Sequence, residues 1–133
     1  MKLANVNLRA SIVVDEHVID VATESKQRFG PDLMSVYDDW EEFVAWAETV
    51  ERSETPLEQG LLGNPVPRPR QVFGIGLNYG EHAAESGMDL PTVPATFTKS
   101  PASLSGPFDD IEIVGTTIDW EAELVAVIGV HAD

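Results

Sequence analysis

Cysteine is absent from the 133 residues, which excludes structural disulfides, thiolate-held zinc and cysteine nucleophiles. Basic residues are scarce: 8 Lys and Arg stand against 23 Asp and Glu, a formal net charge of −15. Such a balance repels phosphate backbones and anionic lipid, so neither nucleic acid nor a membrane is expected as a partner. The acid is not gathered in a tail: residues 1–64 carry 5 basic and 13 acidic side chains, residues 65–133 carry 3 and 10. No apolar run approaches the length of a membrane span, and the start, Met1-Lys2-Leu3-Ala4-Asn5, lacks the apolar stretch of a secretion signal. A cytoplasmic protein with a charged, solvated surface is the expectation.

What is present begins with short apolar runs broken by polar residues between Lys2 and Ala22. Val13-Val14 and Val18-Ile19 flank Asp15-Glu16-His17, the pattern of a hairpin with a polar turn, which makes His17 a turn residue. From Asp32 the period changes. Leu33, Val36, Tyr37, Trp40, Val44 and Ala47 recur at helical spacing, with Asp38, Asp39, Glu41, Glu42 and Glu48 largely on other faces. Pro31 suits the start, and acids in the early turns suit the helix dipole. Trp40, Phe43 and Trp46 then read as a buried stripe rather than an aromatic ligand platform.

Gly60, Gly63, Pro65, Pro67 and Pro69 crowd the next stretch, where missing donors and flexible glycines sustain neither helix nor sheet. The expected organisation is a small α+β unit over residues 1–60, a linker over 61–70 and a β-rich unit over 71–133. In the last of these, Gln71 to Gly76, Ala95 to Lys99, Ile111 to Val114 and Ile118 to Ile128 read as strands. A short helix from Glu81 to Ser86, stopped by Gly87, lies between the first two.

Gly74-Ile75-Gly76 after a strand invites a dinucleotide reading, but Tyr79 stands where the third glycine belongs and no long crossover helix follows. His82 and Glu85 are spaced i, i+3, so a helical turn puts them on one face within reach of a hydrogen bond. A carboxylate on one imidazole nitrogen would leave the other free to take a proton; a pair of solvated surface neighbours is the plainer alternative. Glu121 and Glu123 alternate along an apolar run, so in a strand they share a face. A hard cation relieves their repulsion, and a solvent-facing edge is an equal reading of the spacing alone.

In order, these pieces are Pro65-Val66-Pro67-Arg68-Pro69-Arg70, Gly76-Leu77-Asn78-Tyr79 with His82-Ala83 and Glu85, Phe97 with Lys99, and Asp119-Trp120-Glu121-Ala122-Glu123-Leu124. The series resembles the fumarylacetoacetate hydrolase family, closely over residues 65–130 and more loosely over 1–60 as that family's small N-terminal domain. The resemblance implies an α+β chain: a small α+β leader, then the first part of a mixed β-roll catalytic domain, homodimeric when full length. It implies Mg²⁺ or Mn²⁺ and a small 2-oxo or diketo acid substrate. Carried over by position, Glu121 and Glu123 match metal ligands, His82 and Glu85 an acid–base dyad on a mobile lid segment, and Lys99 a residue near the substrate.

C–C bond hydrolysis of the fumarylacetoacetate or acylpyruvate kind is the implied reaction. The alternatives are an oxaloacetate decarboxylase, a 2-hydroxyhepta-2,4-diene-1,7-dioate isomerase, or a non-catalytic fragment or decayed homologue. Ile75 stands where the tyrosine-degrading branch carries an additional aspartate, which points to the bacterial-type subgroup with three carboxylate ligands. The third is expected downstream of Gly129. Asp133 lies too close to the same strand to take that place, so these 133 residues are expected to be inactive alone.

Overall fold

A computed structural model describes residues 1–51 and 53–129; Asp133 therefore lies outside the described residues. The chain divides into two compact units, Met1–Pro67 with Ser105–Asp133, and Arg68–Leu104.

The first unit starts with three antiparallel strands, β1 (Lys2–Val6), β2 (Arg9–Val14) and β3 (His17–Asp20). The expected β2–β3 hairpin forms, with the turn at Asp15 and Glu16 at φ 47° and 65°; His17, expected in the turn, instead opens β3 opposite Val14. Two successive positive φ values give the turn whose twist matches the strands it joins. Asn7 and Leu8 do the same between β1 and β2, at φ 51° and 62°, without the glycine that usually marks such a turn.

Three helices follow: α1 (Val21–Glu24), α2 (Leu33–Asp38) and α3 (Trp40–Ala47). Asp32 caps α2 by accepting from the Met34 amide at 3.2 Å. The single helical stripe expected from Asp32 onwards is divided at Asp39, which leaves helical dihedrals (φ −114°, ψ 37°) and becomes the N-cap residue of α3. Aspartate favours such positions over helix interiors, and the break lets Leu33 and Val36 of α2 and Phe43 and Ala47 of α3 share one core. That core is completed by Ala10, Ile12 and Ile19 of the sheet with Val21 and Phe29. Phe43 is fully buried, edge-on to Phe29 at 5.6 Å between centroids and 5.8 Å from Trp46. The aromatic stripe is packing. Burying one such side chain contributes about 2–3 kcal/mol.

Inside the stretch expected to hold no sheet, a short β4 (Leu62–Gly63) pairs with β1, giving the order β3-β2-β1-β4. Gly63 leaves room there for a neighbour: a Cβ would stand 2.9 Å from the side-chain amide nitrogen of buried Asn5, which donates to the Asn64 carbonyl at 3.1 Å and would have to shift. Asn64 in turn donates to the Ser105 carbonyl at 2.8 Å, where the chain re-enters this unit.

Beyond Ser105 the expectation needs correcting. Among the described residues neither Ile111 to Val114 nor Ile118 to Ile128 is a strand, and neither belongs to either sheet. Ile111, Trp120 and Leu124 are 74%, 82% and 90% exposed. Apolar alternation sets which side chains share a face, but a strand needs a regular ladder with a second backbone, and no such ladder is formed among the described residues.

The second unit is a two-stranded antiparallel sheet of β5 (Val72–Gly76) and β6 (Ala95–Lys99), with α4 (Gly80–Glu85) between them in sequence. Both units are α+β with antiparallel sheets. Among the described residues no helix is long and apolar enough to cross a membrane.

Candidate functional site

α4 carries His82 and Glu85. Tyr79, in extended conformation, precedes its first turn, and the Ala83 amide donates to the Tyr79 carbonyl at 3.1 Å. The helix ends as the sequence predicts. Gly87 adopts φ 66°, the Met88 amide donates to the Ala83 carbonyl at 3.0 Å and the Gly87 amide to the Ala84 carbonyl at 3.1 Å. This paired closure satisfies carbonyls of the last turn and favours a residue without a Cβ at the left-handed position. Ala83, 1% exposed, is the buried residue of α4. With that side anchored, His82 and Glu85 stand exposed one turn apart. Among the described residues no hydrogen bond joins them, so a carboxylate–imidazole contact requires a rotamer change at one of the two.

Lys99 ends β6, opposite Val72. Its Nζ lies 5.9 Å from the centre of the Phe97 ring, two residues back on the same face. Phe97 is opposite Gly74, and the ring occupies the space a side chain there would need: a Cβ on Gly74 would fall 2.4 Å from Cζ. The sequence shows Gly74 and the Phe97–Lys99 pair but not that seat. The signal available was the period of two linking 97 to 99 and a glycine inside a strand. A cleft of about 240 Å³ in the same unit is lined by Ile75, Gly76, Leu77, Asn78, Leu90 and Val93 among others, with no charged group in its wall.

Glu121 and Glu123 belong to the first unit, in the exposed segment after Ser105. Both carboxylates are exposed, and among the described residues neither takes part in an ion pair or hydrogen bond. The shared face expected of Glu121 and Glu123 presumes a strand, and among the described residues this segment is not one. Chemically they suit a hard divalent cation, which accepts one or two carboxylates and fills its other positions with water and substrate oxygens. Among the described residues no group of three or more His, Asp or Glu is arranged to hold a metal. The donor type therefore fits, and the pair alone is only part of a coordination shell.

A larger cleft in the first unit, about 410 Å³, is lined by Tyr37, Asp38, Asp39, Trp40, Glu41, Glu42 and Gly129 and contains none of the five candidate residues. Burial raises the Tyr37 phenol pKa, and its hydroxyl donates to the Pro65 carbonyl at 2.9 Å.

Residues 71–133 match the family model described as fumarylacetoacetate (FAA) hydrolase C-terminal. Among curated proteins, a provisionally named hydrolase of Burkholderia ambifaria is 41% identical over 90 residues, covering 65% of this chain and 32% of the relative. A second, from Burkholderia multivorans, is also 41% identical over 90 residues, with the same coverage. Among solved structures, the crystal structure of a provisionally assigned HpcE protein from Mycobacterium smegmatis is 41% identical with a TM-score of 0.72, covering 85% of this chain and 40% of that one. The chain thus spans about a third of the length of the curated relatives it matches.

Proposed function

Because this chain belongs to the fumarylacetoacetate hydrolase family, we propose that the protein carrying it is a divalent-metal-dependent hydrolase of C–C bonds in small 2-oxo or diketo acids. One observation carries the reading. All five candidate residues, His82, Glu85, Lys99, Glu121 and Glu123, fall within 71–133, the segment the family's C-terminal model matches. We read residues 1–60 as the leader and 71–133 as part of a catalytic β-roll, cytoplasmic and homodimeric in the whole protein.

In this reading Glu121 and Glu123 offer carboxylate oxygens to Mg²⁺ or Mn²⁺, which when bound supplies Lewis acidity toward the 2-oxo acid. His82 accepts a proton from water at one ring nitrogen. Glu85, once turned toward it, holds the other ring nitrogen and stabilises the imidazolium that results. Lys99 places an ammonium against a carboxylate or polarised oxygen of the substrate. The same groups serve a decarboxylase or an isomerase, so product identity separates the three.

The test is an assay of acylpyruvates, a fumarylacetoacetate-type diketo acid and oxaloacetate with Mg²⁺. It is run on the complete translated reading frame that carries this sequence, with the 133 residues alone in parallel. Cleavage of an acylpyruvate or the diketo acid into two carboxylic acids supports hydrolysis, CO₂ release with pyruvate from oxaloacetate supports the decarboxylase, and a changed enol absorbance without cleavage supports the isomerase. No turnover of any of these by the complete product, with or without metal, sinks the assignment.

A further inference from the structure

Six residues share one face of the β5–β6 sheet: Val72, Gly74 and Gly76 from one strand, Ala95, Phe97 and Lys99 from the other. On that face the Phe97 ring lies down across β5. A Cβ built on Gly74 would meet Cζ at 2.4 Å, Cε2 at 2.7 Å and Cε1 at 3.0 Å, while one on Gly76 would clear Cε1 at 3.8 Å. The outer edge of the ring therefore fills the place of the missing Gly74 side chain and not that of Gly76. Phe97 is 50% exposed, so its other side is open, and Lys99 reaches toward it with Nζ 5.9 Å from the ring centre.

A lysine at an exposed strand end has four rotatable bonds and nothing inherent to hold its ammonium in one place. An aromatic face within about 6 Å attracts the cation electrostatically and covers part of its methylene stem. We propose that Phe97, seated on Gly74, is a positioning residue that holds the Lys99 ammonium ready for the carboxylate or 2-oxo oxygen of the substrate. The inference rests on the reading of Lys99 as a substrate contact. It assigns Gly74 a role unrelated to turns or phosphate binding: the glycine is the socket for the ring. It also explains why the aromatic and the lysine are two residues apart, since an odd separation would put them on opposite faces.

These 133 residues hold three lysines, Lys2, Lys26 and Lys99, so the ε-methylene NMR signals of this chain are simple to assign. With the ring beneath it, Lys99 is expected upfield of the other two. Phe97→Leu should return it to their position, Gly74→Ala should move it by displacing the ring, and Phe97→Tyr should preserve it. In the complete enzyme, Phe97→Leu should raise KM for a 2-oxo acid by about two- to five-fold with kcat nearly unchanged, as expected for an exposed cation–ring contact. Lys99→Met should raise KM at least as much, and the double variant no further. Lys99 signals coincident with those of Lys2 and Lys26, in a chain whose β5–β6 cross-strand contacts are intact, would overturn the platform even if Lys99→Met raises KM. An upfield Lys99 with KM unmoved by Lys99→Met would overturn the substrate role instead. If Gly74→Ala fails to fold, Phe97→Leu and Phe97→Tyr decide the matter between them.

Discussion

Arg9 holds Asp20 with two hydrogen bonds, Nε to Oδ2 at 2.6 Å and Nη2 to Oδ1 at 2.9 Å. The same carboxylate caps α1, its Oδ1 accepting from the Thr23 amide at 2.8 Å and the Thr23 hydroxyl at 2.7 Å. One side chain thereby fastens the start of β2 to the entry of the first helix. The Arg9 hydrogen bond is the main reason the Asp20 pKa falls to about 2; burial opposes it, and the Thr23 bonds reinforce it.

A carboxyl whose folded pKa lies below its unfolded value, near 3.9, stabilises the fold fully above about pH 4 and loses that contribution as pH falls toward 2. Acid titration of the chain by circular dichroism should show a destabilising step in this window that Asp20→Asn lacks. At neutral pH, Asp20→Ala should cost about 1–2 kcal/mol in urea unfolding through the lost cap. An unchanged midpoint would mean the cap and the ion pair do not support the fold.

Phe43 is fully buried and lies within 6 Å, ring centre to ring centre, of Phe29, Trp40 and Trp46. Phe43→Ala should destabilise the first unit by about 3–5 kcal/mol, since it empties a packed site that neighbouring rings only partly refill. Tryptophan emission during denaturant unfolding reads this directly. A loss under about 1 kcal/mol would place the core elsewhere.

Gly87 closes α4 at φ 66°. Gly87→Ala should cost about 1 kcal/mol at that cap, because an L side chain crowds the left-handed conformation. The amides of Gly87 and Met88, which bond to Ala84 and Ala83, should then exchange several-fold faster with solvent. Exchange at β1 and β2 should be unaffected. Equal acceleration everywhere would mean the substitution acts globally rather than on the segment that carries His82.

Glu123→Gln preserves shape and removes one unit of charge. In the complete reading frame it should weaken Mg²⁺ binding at least ten-fold in calorimetric titration, whereas His82→Ala should leave metal binding intact and abolish turnover. The 133 residues alone should bind Mg²⁺ weakly, because two carboxylates leave most of an octahedral shell to water. Full activity after Glu123→Gln, or tight binding by these residues alone, would remove Glu121 and Glu123 from the metal site.

Much of the local structure is legible in the residues themselves. Paired valines around Asp15-Glu16 specify the β2–β3 hairpin, Gly87 stops α4, and Ala95 to Lys99 is a strand as its β-branched and aromatic content suggests. Each of these depends on neighbours within a few positions. The candidate residues are legible for a different reason: His82, Glu85, Lys99, Glu121 and Glu123 are picked out by chemical type, spacing and motif order.

Other features depend on residues far apart in the chain, and only tertiary structure decides them. Asp39 ends one helix and begins another because Leu33, Val36, Phe43 and Ala47 must converge on one core. Gly63 makes room for the side chain of Asn5, and Gly74 for the ring of Phe97. The runs from Ile111 and Ile118 have the composition of strands yet form none among the described residues, because a strand needs a regular ladder and not composition alone. Sequence by itself determined periodicity, turns and which groups are candidates for chemistry, all of them local properties; packing across tens of residues decided where helices break, which glycines a neighbouring side chain crowds, and which extended segments become sheet.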